Sequence, residues 1–143
     1  MDDGAVGVTP ERATRGASRM QRRRVLFADT DAGGRIHFTA ALRWAEAVEH
    51  SLVRELDPGC DIGRWPRRHV EATFHLPLGF DDEFELRLHV ERVGSTSVGW
   101  SWSVVCDEAT CIEGRHTTVH VGEDGAPEPV RPELRALLGD PAS

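Results

Sequence analysis

The stretch Phe27-Ala28-Asp29-Thr30-Asp31-Ala32-Gly33-Gly34-Arg35-Ile36-His37-Phe38 has the residue types of a reaction centre. It sets two carboxylates, Asp29 and Asp31, in a glycine-rich loop just ahead of an amphipathic segment. Asp and Gly tolerate positive φ and bond their own backbone, so a tight loop is expected here. A helix that starts directly after it offers N–H groups without intrahelical acceptors, at the positive end of its dipole. A carboxylate beside such donors suits acyl transfer. The amides can hold a carbonyl oxygen as it gains charge, while the carboxylate acts on water or on the carbonyl carbon. The same pattern also suits a plain turn or helix cap.

Other chemistries find less support. The chain has no phosphate-cradling G-x-x-x-x-G-K-[ST], no G-x-S-x-G elbow and no H-E-x-x-H. Among its seven histidines, His116 and His120 share a strand face but stand roughly 13 Å apart at strand rise, too far to share a metal. His75 and His89 could meet across strands without a third ligand. These histidines read as polar residues on an outer sheet face, and neither a metal nor a cofactor is expected. Cys60, Cys106 and Cys111 show neither C-x-x-C spacing nor an even count, which suits reduced thiols in a cytoplasmic protein. No apolar run approaches the roughly 20 residues of a membrane span, and residues 1–20 carry no secretory apolar core. Seventeen basic against 24 acidic residues give a net charge of -7, a poor match to nucleic acid. Neither a nucleic-acid nor a membrane partner is expected.

The elements that must position the loop are legible in the spacing. Residues 1–20 lack a periodic apolar face and are expected to form a flexible leader. The six arginines from Arg12 to Arg24 read as a solvated tail running into a first strand at 22–28, with Val25 and Phe27 on one face. Thr39 is the expected cap of the helix that follows. From Ala40 to about Leu56, the residues Ala41, Trp44, Ala45, Val48 and Leu52 recur at helical spacing, and Leu42, Ala47 and Val53 widen the stripe. Asp57-Pro58-Gly59 ends it. The period then drops to two in four runs: Val70 to Leu78, Phe84 to Val90, Val98 to Val104, and Thr117 to Val121. Short Gly-, Asp- and Ser-rich turns separate them, as in antiparallel strands with one face on a core. A short helix from Pro132 to about 138 closes the chain. One long helix against a sheet of about five strands is an α+β arrangement, in which the sheet must curl around so wide an apolar stripe. The expected organisation is a leader over 1–20 and a single domain over 21–143.

The segment Val25 to Phe38, with the Arg43-Trp44-Ala45-Glu46 helix behind it, resembles the hotdog-fold thioesterases of the 4-hydroxybenzoyl-CoA thioesterase family. A looser likeness runs through Trp65-Pro66 and the strands to Val121. The resemblance implies a curved antiparallel sheet wrapped around one central helix. It also implies hydrolysis of an acyl thioester, carried by coenzyme A or by an acyl-carrier protein, to free acid and thiol. Asp31 matches the family's catalytic aspartate, as general base or as nucleophile. The N–H of Phe38 or Thr39 would be the oxyanion donor, and His37 either orients substrate or packs. Asp29 then stabilises the turn, and Glu46, which matches a frequent helix acid, makes a structural hydrogen bond. Where some relatives carry basic residues in a turn, this chain has Gly94-Ser95-Thr96-Ser97 flanked by Arg92, so Arg92, Ser95, Thr96 and Ser97 are the candidate CoA or carrier contacts. Arg64, Arg67 and Arg68 are alternative phosphate contacts or solvated loop arginines. Relatives often carry Tyr or Asn after the helix start. Here Ala40 and Ala41 stand there, which would enlarge an acyl pocket. The resemblance further implies a homodimer or homotetramer with sites at the subunit junction. Two other readings of the same fold are a hotdog dehydratase or hydratase, and a noncatalytic acyl-thioester binding protein.

Overall fold

The computed structural model describes residues 16–139. Strand β1 (Ser18–Arg24) leads through a single 3-10 turn (Phe27–Asp29) into the loop and then helix α1 (Phe38–Leu56). A second 3-10 turn (Ile62–Arg64) precedes four strands, β2 (Arg67–Phe74), β3 (Glu83–Val93), β4 (Ser97–Cys106) and β5 (Ala109–Val119). Helix α2 (Pro132–Leu138) closes the chain. All strand pairs are antiparallel, in the order β1-β3-β4-β5-β2. This is the α+β hotdog arrangement, a curved five-stranded sheet wrapped around α1.

The core is the inner face of β3, β4 and β5 against α1. Ala40, Ala41, Trp44, Ala45, Val48, Leu52 and Val53 of the helix are buried on it, with Leu86, Leu88, Val90, Trp100, Trp102, Val104 and Ile112 of the sheet. Burying a side chain such as Val48 or Leu52 contributes about 1.5–3 kcal/mol. Trp44 stacks on Phe84 with ring centroids 4.2 Å apart, fixing the helix start against β3. Trp102 lies so close over the β5 backbone that a Cβ at position 114 would sit 2.0 Å from its ring, so only Gly114 fits there.

Several expectations change. The first strand is Ser18–Arg24, not 22–28, so the expected leader loses its last residues to the sheet. The Ala17 N–H also donates to Leu138 O, and Val90 N–H to Ala17 O. Backbone pairing with β3 holds this arginine-rich edge, and its inward side chains, Arg19 and Gln21, reach Glu55 and Ser51 of α1 in place of apolar contacts. Residues 1–15 of the expected leader lie outside the described residues. β2 ends at Phe74, so Leu76 and Leu78 lie beyond the strand. Val70 and Phe74, expected on the core, are 43% and 46% exposed, because they lie on an edge strand that meets α1 through its first residue, Arg67. Ala40 and Ala41 are wholly buried under the sheet.

Candidate active site

The loop folds as its residue types require. The Asp31 N–H donates to Arg35 O at 2.7 Å and the Gly34 N–H to Asp31 O at 3.0 Å, with Gly34 at φ 81°, where glycine is favoured. Asp31 Oδ1 accepts the Gly33 N–H at 2.8 Å. Its other oxygen has no partner among the described residues, and the side chain is exposed. Asp29 behaves differently. It is buried, its Oδ2 accepts the Leu26 N–H at 2.9 Å, and its Oδ1 stands 3.3 Å from an Arg43 nitrogen on α1. Its backbone oxygen also accepts the His37 N–H at 2.8 Å. Asp29 therefore ties the loop to the helix and leaves Asp31 unencumbered.

The helix cap is His37, not Thr39. His37 Nδ1 accepts the Thr39 N–H at 3.3 Å and lies 2.8 Å from Thr39 Oγ1, which itself accepts from Arg43 at 2.8 Å. The Thr39 amide is thus occupied. The Phe38 N–H has no acceptor among the described residues, which narrows the candidate oxyanion donor to Phe38. Aromatic surface surrounds this corner. Phe27 and Phe38 are 78% and 61% exposed, Phe27 meets Phe80 edge to face at 6.1 Å, and His37 stacks on Phe38 at 4.7 Å.

The other candidates lie elsewhere. The turn 94–97 closes the far end of β3, roughly 30 Å of strand from the residues that adjoin the Asp31 loop. One chain does not bring it to the loop. Ser97 is buried, so its side chain is unavailable to a ligand, whereas Arg92 and Ser95 are exposed and Thr96 is half-buried. The carbonyls of this turn are taken by Arg135 and by the N–H groups of His120 and Val130. A cleft of about 360 Å³ at the C-terminal end of α1 is lined by Cys60, Arg64, Trp65, His120 and Arg131 among others. Its arginines are paired, Arg64 with Asp61 and Glu123, and Arg131 with Asp57.

Two histidine expectations fail. His116 does not face outward. It is buried, with Nε2 2.7 Å from Glu49 Oε1 in the middle of α1. Arg67 joins them and is no solvated loop residue. Its buried nitrogens stand 2.8 Å from Glu49 Oε1 and 2.9 Å from Glu46 Oε2, close enough for charge attraction but off hydrogen-bond alignment. So Glu46 pairs with Arg67. His75 and His89 do not meet, because His75 directly follows β2, which β4 and β5 separate from the β3 strand of His89; His75 instead contacts Glu113 at 2.9 Å. Glu49, which joins His116 and Arg67, is not among the sequence candidates, where a lone acid in an apolar helical stripe was the available signal.

No family model matches the chain. A 1,4-dihydroxy-2-naphthoyl-CoA hydrolase of Parasynechococcus marenigrum is 34% identical over 113 residues, covering 68% of this chain and 74% of that one. The enzyme of the same name from Prochlorococcus marinus strain MIT 9303 is 33% identical over 114 residues, covering 69% and 76%. Among solved structures, a predicted thioesterase from Bacillus stearothermophilus superposes with a TM-score of 0.78 at 23% identity, over 85% of this chain and 94% of that one. A 1,4-dihydroxy-2-naphthoyl-CoA thioesterase from Synechocystis does so at 0.74 and 16% identity, over 85% and 96%. These two structural likenesses bear on the fold.

Proposed function

The chain belongs to the hotdog-fold thioesterases, and we propose that it hydrolyses an aromatic acyl-CoA, with Asp31 as the catalytic carboxylate and the Phe38 N–H as the oxyanion donor. The observation that carries this reading is local: a carboxylate with one oxygen unengaged among the described residues lies in the loop before a helix whose first N–H is likewise unengaged among them. Each is what one half of thioester hydrolysis needs. As the thioester carbonyl is attacked, its oxygen gains charge beside the Phe38 amide and the positive end of α1. The Asp31 carboxylate either draws a proton from water or attacks the carbonyl carbon itself, with the thiolate leaving and water then cleaving the anhydride. The acid and the thiol are released in both routes.

The aromatic acyl group is supported by the names of the relatives and by the exposed rings of Phe27, Phe38 and Phe80 around the loop. His37 contributes a substrate contact at the same corner. Arg92, Ser95 and Thr96 remain candidates for the CoA nucleotide or a carrier, reached from a neighbouring subunit. The working assembly is at least a homodimer. An edge strand with free N–H and C=O groups and apolar side chains is an association surface, and β2 presents Val70 and Phe74 on such an edge.

Thiol release from a panel of thioesters tests the proposal. The panel holds 1,4-dihydroxy-2-naphthoyl-CoA, benzoyl-CoA, a straight-chain acyl-CoA, an enoyl-CoA, and the same acyl groups on an acyl-carrier protein. Fastest release from the aromatic CoA esters is expected. Faster release from the carrier-borne esters would move the substrate to carrier protein. Hydration of the enoyl ester, or binding without release, would overturn the hydrolase reading.

A further inference from the structure

The hydrogen bonds at the helix start form a closed ring that reaches both halves of the site. Asp29 Oδ1 stands 3.3 Å from one Arg43 nitrogen, and the other Arg43 nitrogen donates to Thr39 Oγ1 at 2.8 Å. The Thr39 hydroxyl reaches His37 Nδ1 at 2.8 Å, and the His37 N–H returns to Asp29 O at 2.8 Å. Asp29 precedes Asp31 by two residues, and His37 and Thr39 flank Phe38. Arg43, exposed on one side, therefore joins the carboxylate loop to the oxyanion donor.

The ring also fixes a proton. His37 Nδ1 accepts the Thr39 N–H, so it carries no hydrogen. The Thr39 hydroxyl oxygen takes the Arg43 N–H, which leaves its own hydrogen for the same Nδ1. With Nδ1 as the acceptor, the ring hydrogen lies on Nε2, which has no partner among the described residues. Two unengaged donors then stand at the helix start, the Phe38 amide and the His37 Nε2–H.

Resting on the thioesterase reading, we propose that Arg43 is a positioning residue for the hydrolysis: with Asp29 and Thr39 it locks His37 as the Nε2–H tautomer and aligns the Phe38 and His37 donors for the thioester carbonyl. A second donor at an oxyanion gains its value in the transition state, so losing its alignment lowers kcat more than it raises KM.

The test uses the full-length protein on the thioester turned over fastest in the panel above, with melting followed by circular dichroism. Arg43→Met is expected to lower kcat at least about tenfold with KM within about twofold, and Arg43→Lys, which can serve one partner at a time, to recover part of the loss. Thr39→Val breaks the ring while sparing the Arg43–Asp29 contact and should act in the same direction. His37→Asn still caps the helix through its own oxygen but lacks the Nε2–H, and should lose about as much kcat as Arg43→Met. If Arg43→Met and Thr39→Val melt earlier but keep the parent kcat per folded molecule, the ring is only structural and the proposal fails. An unchanged kcat in His37→Asn removes the second donor and overturns it as well. Asp31→Asn separates the two levels. If it loses turnover while the ring variants keep it, only this inference falls. If it keeps turnover, the Asp31 assignment falls, and the ring variants still report on the donors.

Discussion

Replacing Asp31 by Asn tests the catalytic assignment with little structural disturbance. The Gly33 N–H is accepted by one side-chain oxygen of Asp31 at 2.8 Å, and the Asn oxygen can take that bond unchanged. The side chain is exposed and has no ion pair among the described residues, so the stability change should stay within about 0.5 kcal/mol, as for an ordinary surface site. What the substitution removes is charge, on the oxygen that nothing in the described residues engages. A positioned acid–base group contributes at least about a hundredfold, equivalent to about 2.7 kcal/mol of transition-state stabilisation. A loss of that size in kcat, measured by thiol release on the best panel ester, is therefore expected with an unchanged melting curve. Asp29→Asn is the contrast. It is buried and shares its charge with Arg43, so it should cost about 1–2 kcal/mol of stability. If Asp31→Asn hydrolyses at near the parent rate, water held by other groups does the work and the assignment is wrong.

Three further outcomes follow from the same contacts. Glu49→Ala should destabilise the protein by about 3 kcal/mol in urea unfolding, because it strips the buried His116 and Arg67 of their shared carboxylate; a change below about 1 kcal/mol would show that the cluster adds nothing. Burial first, and then the neighbouring Cys111 thiol, push the Cys106 thiol up to about 12. Its alkylation by iodoacetamide at pH 8 should thus run roughly a thousandfold slower than that of a free thiol, and should rise about tenfold per pH unit up to pH 10; rapid labelling at pH 8, mapped by mass spectrometry, would contradict this. Phe74→Glu, on the exposed edge strand, should shift sedimentation towards the 15.8 kDa monomer. A parent that is already monomeric at micromolar concentration would refute the assembly.

How far the sequence reached depended on whether a residue's partner was near in the chain. Helix α1 was legible because its apolar stripe meets the core directly, and α2 because Pro132 opens it and Gly139 ends it in the left-handed region. The alternation of β3 and β4 was equally plain. β1 was not, since an edge strand of arginines is held by backbone bonds and by polar contacts to the helix. β2 was misjudged in the opposite sense, because its alternation is real but its apolar side is not covered by α1. At the site, the Asp31 loop was legible from types alone. The cap was not, because it uses a ring nitrogen of His37 in place of the expected hydroxyl. The Asp29–Arg43 and Glu49–His116 contacts span 14 and 67 residues, and no local pattern carries them.

Two groups of acidic residues compete for a catalytic role among the described residues, and geometry supports the one at Asp31. Glu49 and His116, 2.7 Å apart, form the acid–imidazole pair that a search for general bases would choose first. Yet both are buried, Glu49 already holds His116 and Arg67, and the cavity beside them measures about 10 Å³, room for one water and not for an acyl group. The charges of Glu49 and Arg67 compensate each other, which suits a group that fastens α1 to β2 and β5. Asp31 is the reverse case. It is exposed, and among the described residues one of its oxygens is unengaged and the nearest helix end presents donors without acceptors. Chemistry needs unsatisfied groups that a substrate can reach, and stability needs satisfied ones. By that criterion the middle of α1 is structural, and its N-terminus is where we propose that a thioester carbonyl is bound and attacked.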